Sequence, residues 1–113
     1  MSSSLRLEKP WRFLTPEEVE LLPGQLGVFQ LADDDGDIRF IGYAGGHSQF
    51  GLRSELERWI EEPMPDVSRF RYEVTMQYLT RHEELLMVFI ADHGRLPAEN
   101  RESMRELGRL HLG

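Results

Sequence analysis

Hydrophobic and polar positions along the chain fall into short blocks whose period changes from one block to the next. Residues 27–32, Gly-Val-Phe-Gln-Leu-Ala, and residues 37–42, Asp-Ile-Arg-Phe-Ile-Gly, are rich in β-branched, aromatic and aliphatic side chains. They flank Asp33-Asp34-Asp35-Gly36, a cluster of turn formers, so the stretch predicts strand, tight loop, strand. Arg69-Phe70-Arg71-Tyr72-Glu73-Val74 alternates strictly, which sends Phe70, Tyr72 and Val74 to a core and makes a third strand. Between them the period becomes helical. Leu52, Leu56, Trp59 and Ile60 recur at i, i+4, i+7 and i+8, one face of a helix that stops before Pro63, while Arg53 and Glu57 share another face. From about Arg81 to His93 the chain is apolar nearly all round. This predicts the most buried helix, closed by Gly94 in the usual cap position.

The ends carry weaker signals. Residues 1–10 read as a flexible lead-in, after which Trp11 and Phe13 bring the chain onto a core. Thr15-Pro16-Glu17-Glu18 has the form of a capping box: Thr15 caps, Pro16 takes the first helical position, Glu18 reaches back, and Leu14 staples onto Val19. That helix ends at Leu22-Pro23-Gly24. Past Leu96-Pro97, residues Asn100 to Leu112 predict a terminal helix with Met104, Leu107 and Leu110 on one side. The order of elements predicts one α+β domain over residues 11–113, with a small three-stranded, mostly antiparallel sheet flanked by helices.

Composition narrows the chemistry. A chain of 113 residues that is 40% hydrophobic supports one core. With no cysteine, disulfides, thiolate nucleophiles and zinc knuckles are excluded. No stretch has the apolar run of a secretory signal or a membrane span, so the expectation is a cytoplasmic protein with no membrane partner. Thirteen basic against 20 acidic residues give a net charge of -7, which opposes attraction to phosphate backbones. A nucleic-acid partner would need a local basic face, for which Arg39, Arg69 and Arg71 are the candidates.

Several motifs fail on residue type or spacing. Lys9 is the only lysine, which excludes a P-loop, and Gly42-Tyr43-Ala44-Gly45-Gly46 lacks dinucleotide-site spacing. A calcium loop using Gly36 would place Gly42 where a bidentate glutamate is required. His82-Glu83 begins like a zinc-protease motif, but Leu86 stands where the second histidine belongs. His82 and His93 share a helical face at a separation on the order of 16 Å, too far to bind one metal.

One constellation remains. Gly27-Val28-Phe29, then Phe40-Ile41-Gly42, then an arginine on the next helix and a glutamate on a later one, resembles the GIY-YIG endonuclease superfamily. GVF stands where GIY is expected and FIG where YIG is expected. Arg53 matches the helix arginine, Glu84 best matches the metal-binding glutamate with Glu83 as its neighbour, and Leu96-Pro97 followed by Asn100 resembles the closing proline and asparagine. The match spans Gly27 to about Asn100. The resemblance implies metal-assisted hydrolysis of a phosphodiester in nucleic acid, DNA more than RNA. Glu84 would hold Mg2+ or Mn2+, and Arg53 would offer its donor fork to the phosphoryl oxygens. Both motif tyrosines are phenylalanine here, Phe29 and Phe40, which carry no hydroxyl, so Tyr43 or His47 would have to replace them. The same resemblance also admits a catalytically degenerate binding module, dimerising through the terminal Met104, Leu107 and Leu110 stripe. Plainer readings stand beside these: Arg53 pairing with Glu57, Phe29 and Phe40 as core rings, and Asn100 as an N-cap.

Overall fold

The structure, a computed structural model, describes residues 5–46 and 48–101. In chain order its elements are β1 (Arg12–Phe13), α1 (Pro16–Glu20), β2 (Gly27–Ala32), β3 (Ile38–Ala44), α2 (Gly51–Glu61), β4 (Arg69–Val74) and α3 (Tyr78–His93). The hairpin forms where the turn residues place it. Asp33 Oδ1 accepts from the amides of Asp35 and Asp37, and the Gly36 amide donates to the Asp33 carbonyl, so the acidic run is an Asx-type turn. α1 begins as predicted, with Thr15 Oγ1 accepting from the Glu18 amide. The Glu18 side chain turns to Arg12 at 3.6 Å.

The sheet has four strands, not three, in the order β1-β4-β2-β3, and every pair is antiparallel. β1 escapes the sequence pattern because two residues are too few for alternation to be read. Its Phe13 does not enter the core either; the ring is 61% exposed and carries the Arg69 guanidinium over its face at 4.9 Å. On β4, Phe70 is fully buried, whereas Val74 at the strand's end lies 45% exposed.

Both faces of the sheet are covered. On one, Phe29, Leu31 and Phe70 pack with Leu52 and Leu56 of α2 and with Val19 and Leu22. On the other, Val28 and Ile41 pack with Leu85 of α3 and with Leu7. β2, central and covered on both sides, is buried along its whole length, which is why it reads as a nearly continuous apolar run.

Two expectations change here. α3 is not the most buried helix: Leu85 is its buried residue, while Leu79, Met87 and Ile90 are exposed. Among the described residues it packs against one face of the sheet, so its outer side has no second layer. Of the segment expected as a flexible lead-in, Leu7 enters the core while Leu5, Arg6, Glu8 and Lys9 stay exposed. Leu7 is 2% exposed, Arg81 donates to the Leu5 and Arg6 carbonyls, and Arg71 donates to that of Lys9. No helix among the described residues is long and apolar enough to cross a membrane. Met104, Leu107 and Leu110 of the expected terminal helix lie outside the described residues; Asn100 falls inside a helical turn spanning residues 98–101, not at its cap.

Candidate functional site

Gly27 and Gly42 are required by close approach. A Cβ on Gly42 would stand 2.5 Å from Phe29 Cζ and 2.6 Å from Phe40 Cε2, so the glycine makes room for two rings while β3 runs on through it to Ala44. Phe29 and Gly42 are cross-strand partners. The rings continue outward, Phe29 to Phe40 at 5.9 Å between centroids and Phe40 to Trp59 at 4.9 Å. Over this aromatic floor, along the free edge of β3, opens a concavity of about 630 Å³.

Its polar walls come from α2 and α3. Glu55, Arg58, Trp59 and Glu62 follow one another at i, i+3, i+4 and i+7, so α2 presents them together to the opening. Glu55 Oε2 accepts from Ser48 Oγ at 2.7 Å, and its Oε1 lies 3.4 Å from Arg58. Opposite stand Tyr43 and His82. The His82 ring meets Tyr43 edge-on at 4.9 Å, and Tyr43 stacks on Tyr78 at 5.7 Å.

His82 Nε2 lies 3.1 Å from the Ile41 carbonyl oxygen. A carbonyl only accepts, so Nε2 carries the proton and the neutral ring keeps its lone pair on Nδ1. Burial lowers the His82 pKa from its ordinary value; the bond to Ile41 and the charge of Glu83 oppose this less strongly. The folded state therefore binds this proton less readily than the unfolded chain. The resulting stability is fully present above about pH 6.5 and is lost as pH falls through the lower folded pKa. Urea unfolding between about pH 8 and pH 5 should show that loss in the wild type and a smaller one in His82→Gln; equal slopes would mean that His82 titrates normally.

Asn100 closes the end of the cavity. Only 8% exposed, it accepts from the Ile41 amide through Oδ1 at 2.8 Å and donates to the Ile41 carbonyl through Nδ2 at 2.9 Å. It thus pairs with edge strand β3 as a neighbouring strand would.

The structure therefore brings Phe29, Phe40, Gly42, Tyr43 and Asn100 to one cavity. Gly27 lies deeper, between Ala44 and Val74 of the flanking strands. Arg53 and Glu84 do not join them. The Arg53 guanidinium lies 5.5 Å over the Phe50 ring, and it forms no ion pair with Glu57. Glu84 accepts from Arg81 at 2.9 Å, and Arg81 also holds Glu73 of β4 at 3.1 Å. On α3, Tyr78 and His82 face β3 whereas Arg81 and Glu84 face β4, so Glu84 and Tyr43 stand on different sides of the helix. Glu83 is exposed, and His47 lies outside the described residues.

Glu55, Arg58, Trp59, Glu62 and His82 were not singled out as a group by the sequence. The signal available was spacing: Tyr78 and His82 at i and i+4, and charges placed around Trp59 on α2. Nor do Arg39, Arg69 and Arg71 converge. Arg71 donates to Gln30 and lies 4.1 Å over Trp11, Arg69 covers Phe13, and Arg39 reaches toward Asp66 at 3.6 Å. The carboxylates of Asp33, Asp35 and Asp37 come within 4.8 Å of one another, but Asp33 already serves the turn amides.

Nothing among curated proteins and nothing among solved structures matches the chain. A family model described as a domain of unknown function, DUF7508, matches residues 5–92, and the chain belongs to that family.

Proposed function

We propose that this is a GIY-YIG-like domain that uses the cavity on the β3 edge to bind nucleic acid, and that it does not cut its ligand through Arg53 and Glu84. The observation that carries the reading is the aromatic floor of Phe40 and Trp59 set in an open cavity with hydrogen-bonding walls. Unpaired bases stack on such rings whatever their identity. GVF and FIG lie side by side in the sheet, with their glycines packed against rings and backbone, which supports the likeness on which the proposal draws.

The cleaving constellation lacks support. A metal at Glu84 would compete with the Arg81 guanidinium for the same carboxylate, away from the cavity, so the residues there do not fit the Mg2+ or Mn2+ that the resemblance implies. A second reading has its own observation: Glu55 and a neutral His82 line one cavity, a carboxylate and a base of the kind that hydrolysis uses. Dimerisation through Met104, Leu107 and Leu110 remains a proposal about residues beyond those described.

The test uses labelled single-stranded, duplex and branched DNA, and RNA, at low salt with Mg2+ or Mn2+. The expected result is binding to unpaired strands, DNA first, with no metal-dependent cleavage, and unchanged behaviour in Glu84→Ala. Stacking is worth about 1–3 kcal/mol per base, so Trp59→Ala should weaken binding roughly 5- to 150-fold. Metal-dependent cleavage abolished by Glu84→Ala would overturn the proposal in favour of the nuclease. Cleavage that survives Glu84→Ala but not His82→Gln would establish the second reading.

A further inference from the structure

Also on the β3 edge of the sheet lies a second concavity of about 370 Å³ whose lining includes three arginines. Arg39 enters it from β3, His93 from the last turn of α3, Arg95 from the loop that follows, and Arg101 from the helical turn beyond Pro97; among the described residues Asp37 is the carboxylate in its wall. Chain geometry fixes this arrangement. Gly94, with φ of +76°, reverses the chain after α3; Pro97 is fully buried; and Asn100 is tied to Ile41. Arg95 and Arg101 are thereby held on either side of an anchored proline.

Two of the three arginines are uncommitted among the described residues. Arg95 and Arg101 form no ion pair or hydrogen bond through their side chains among the described residues. Arg39 Nε is buried without a hydrogen-bond partner, and that guanidinium reaches Asp66 only at 3.6 Å. His93 rests on the Phe89 ring at 4.2 Å. In a chain of net charge -7 the cleft gathers three arginines, while Asp37 groups with Asp33 and Asp35 within 4.8 Å at its rim and Asp66 stands 3.6 Å from Arg39. Guanidinium forks match the oxygen geometry of phosphate.

We infer that this cleft is a phosphate site, and that it grips the sugar-phosphate backbone of a single strand whose base occupies the neighbouring aromatic cavity. This rests on the nucleic-acid reading above. Consecutive residues divide between the two concavities: Arg39 lines one and Phe40 the other, and Arg101 lines one and Asn100 the other. A strand lying along the β3 edge meets a stacking surface and a cationic cleft in succession. It also locates the local basic face that an acidic nucleic-acid binder requires, at a place the strand arginines Arg69 and Arg71 do not supply.

The experiment is the salt dependence of binding to a labelled oligothymidylate, followed by anisotropy from about 50 to 200 mM salt. Each phosphate neutralised contributes a slope of about -0.7 in log K against log salt for single strands. The combined variant Arg39→Gln, Arg95→Gln, Arg101→Gln should bind more than tenfold more weakly and with a slope shallower by about 2 units. Arg12→Gln, an arginine outside both concavities, should keep the wild-type slope. An unchanged slope in the combined variant, with its folding verified by melting, would overturn the cleft while leaving the aromatic cavity's role intact. Should the wild type bind no oligonucleotide, the nucleic-acid reading fails, and titration with inorganic phosphate and pyrophosphate decides the cleft separately. Saturable NMR shifts confined to the Arg39, Arg95 and Arg101 side chains would retain it as a phosphate site; their absence would remove it.

Discussion

Gly27→Ala should destabilise the domain by about 3 kcal/mol, at the upper end of what overpacking costs. Gly27 opens central strand β2, opposite Ala44 on one side and Val74 on the other. A Cβ there would overlap the Glu73 carbonyl oxygen and stand 3.1 Å from Leu52 Cδ1. The carbonyl belongs to the backbone of a paired strand, so relief requires β2 and β4 to part, not a side chain to turn. Loss of backbone freedom in the unfolded chain offsets only about 0.4–1 kcal/mol of this. For a domain of this size the melting temperature should fall by more than about 10 °C. Gly46→Ala supplies the contrast. Its nearest neighbour would be Tyr78 Oη at 3.9 Å, so its stability should stay within about 0.5 kcal/mol of wild type. Thermal and urea unfolding of the two variants measures the difference, and equal stabilities would mean that β2 and β4 are not paired in this register.

That glycine was legible as a motif position, but its reason was not. The sequence shows that GVF and FIG flank a turn, and pairing follows from the turn residues; that Gly27 lies against a β4 carbonyl depends on a strand more than forty residues away. The same limit runs through the fold. Local periodicity gives β2, β3, α2 and β4 because each carries its own pattern. β1 was missed because it is two residues long and is held by its partner. α3 starts at Tyr78, three residues before the apolar run, and Tyr78 stacks on Tyr43, a contact that no period reveals. The apolar run of α3 misled in another way: hydrophobicity on every side fixes that a helix exists but not how many neighbours it has.

The candidate site divides along the same line. Phe29, Phe40 and Gly42 meet on one face of a strand pair, so their convergence follows from the hairpin alone, whereas Tyr43 lies on the other face with α3. Placing Arg53 and Glu84 needs the rotation of two helices about their axes. Each helix turned out to present a different set of side chains to the cavity, Glu55 and Trp59 on α2 and His82 on α3. One residue of α3, Arg81, accounts for much of this difference. Its side chain gathers Glu73, Glu84 and the lead-in carbonyls on the β4 side, which directs His82 to β3. The glutamate that sequence matching selects is thereby already paired with a cation, while a histidine with a free lone pair faces the cavity.

Asn100→Ala should cost about 2–3 kcal/mol, more than truncation of a polar side chain at the surface. β3 is the outer strand, and outward-facing amides and carbonyls at a sheet edge need partners once they are covered. Asn100 supplies both for Ile41, and its own side chain is buried in doing so. In the alanine variant the Ile41 carbonyl keeps His82 Nε2, but the Ile41 amide loses its acceptor. An unmet buried donor carries the larger share of the penalty. Asn100→Leu tests the same point with the branched shape kept and the polar groups removed, and should be no better tolerated. The local readout is amide hydrogen exchange: Ile41 should lose protection in both variants by more than Phe29, whose strand is paired on both sides. Uniform loss across the sheet would assign Asn100 to packing alone. A selective loss at Ile41 would show that one amide group, supplied from beyond the last strand, seals the edge on which the aromatic cavity and the cationic cleft both depend.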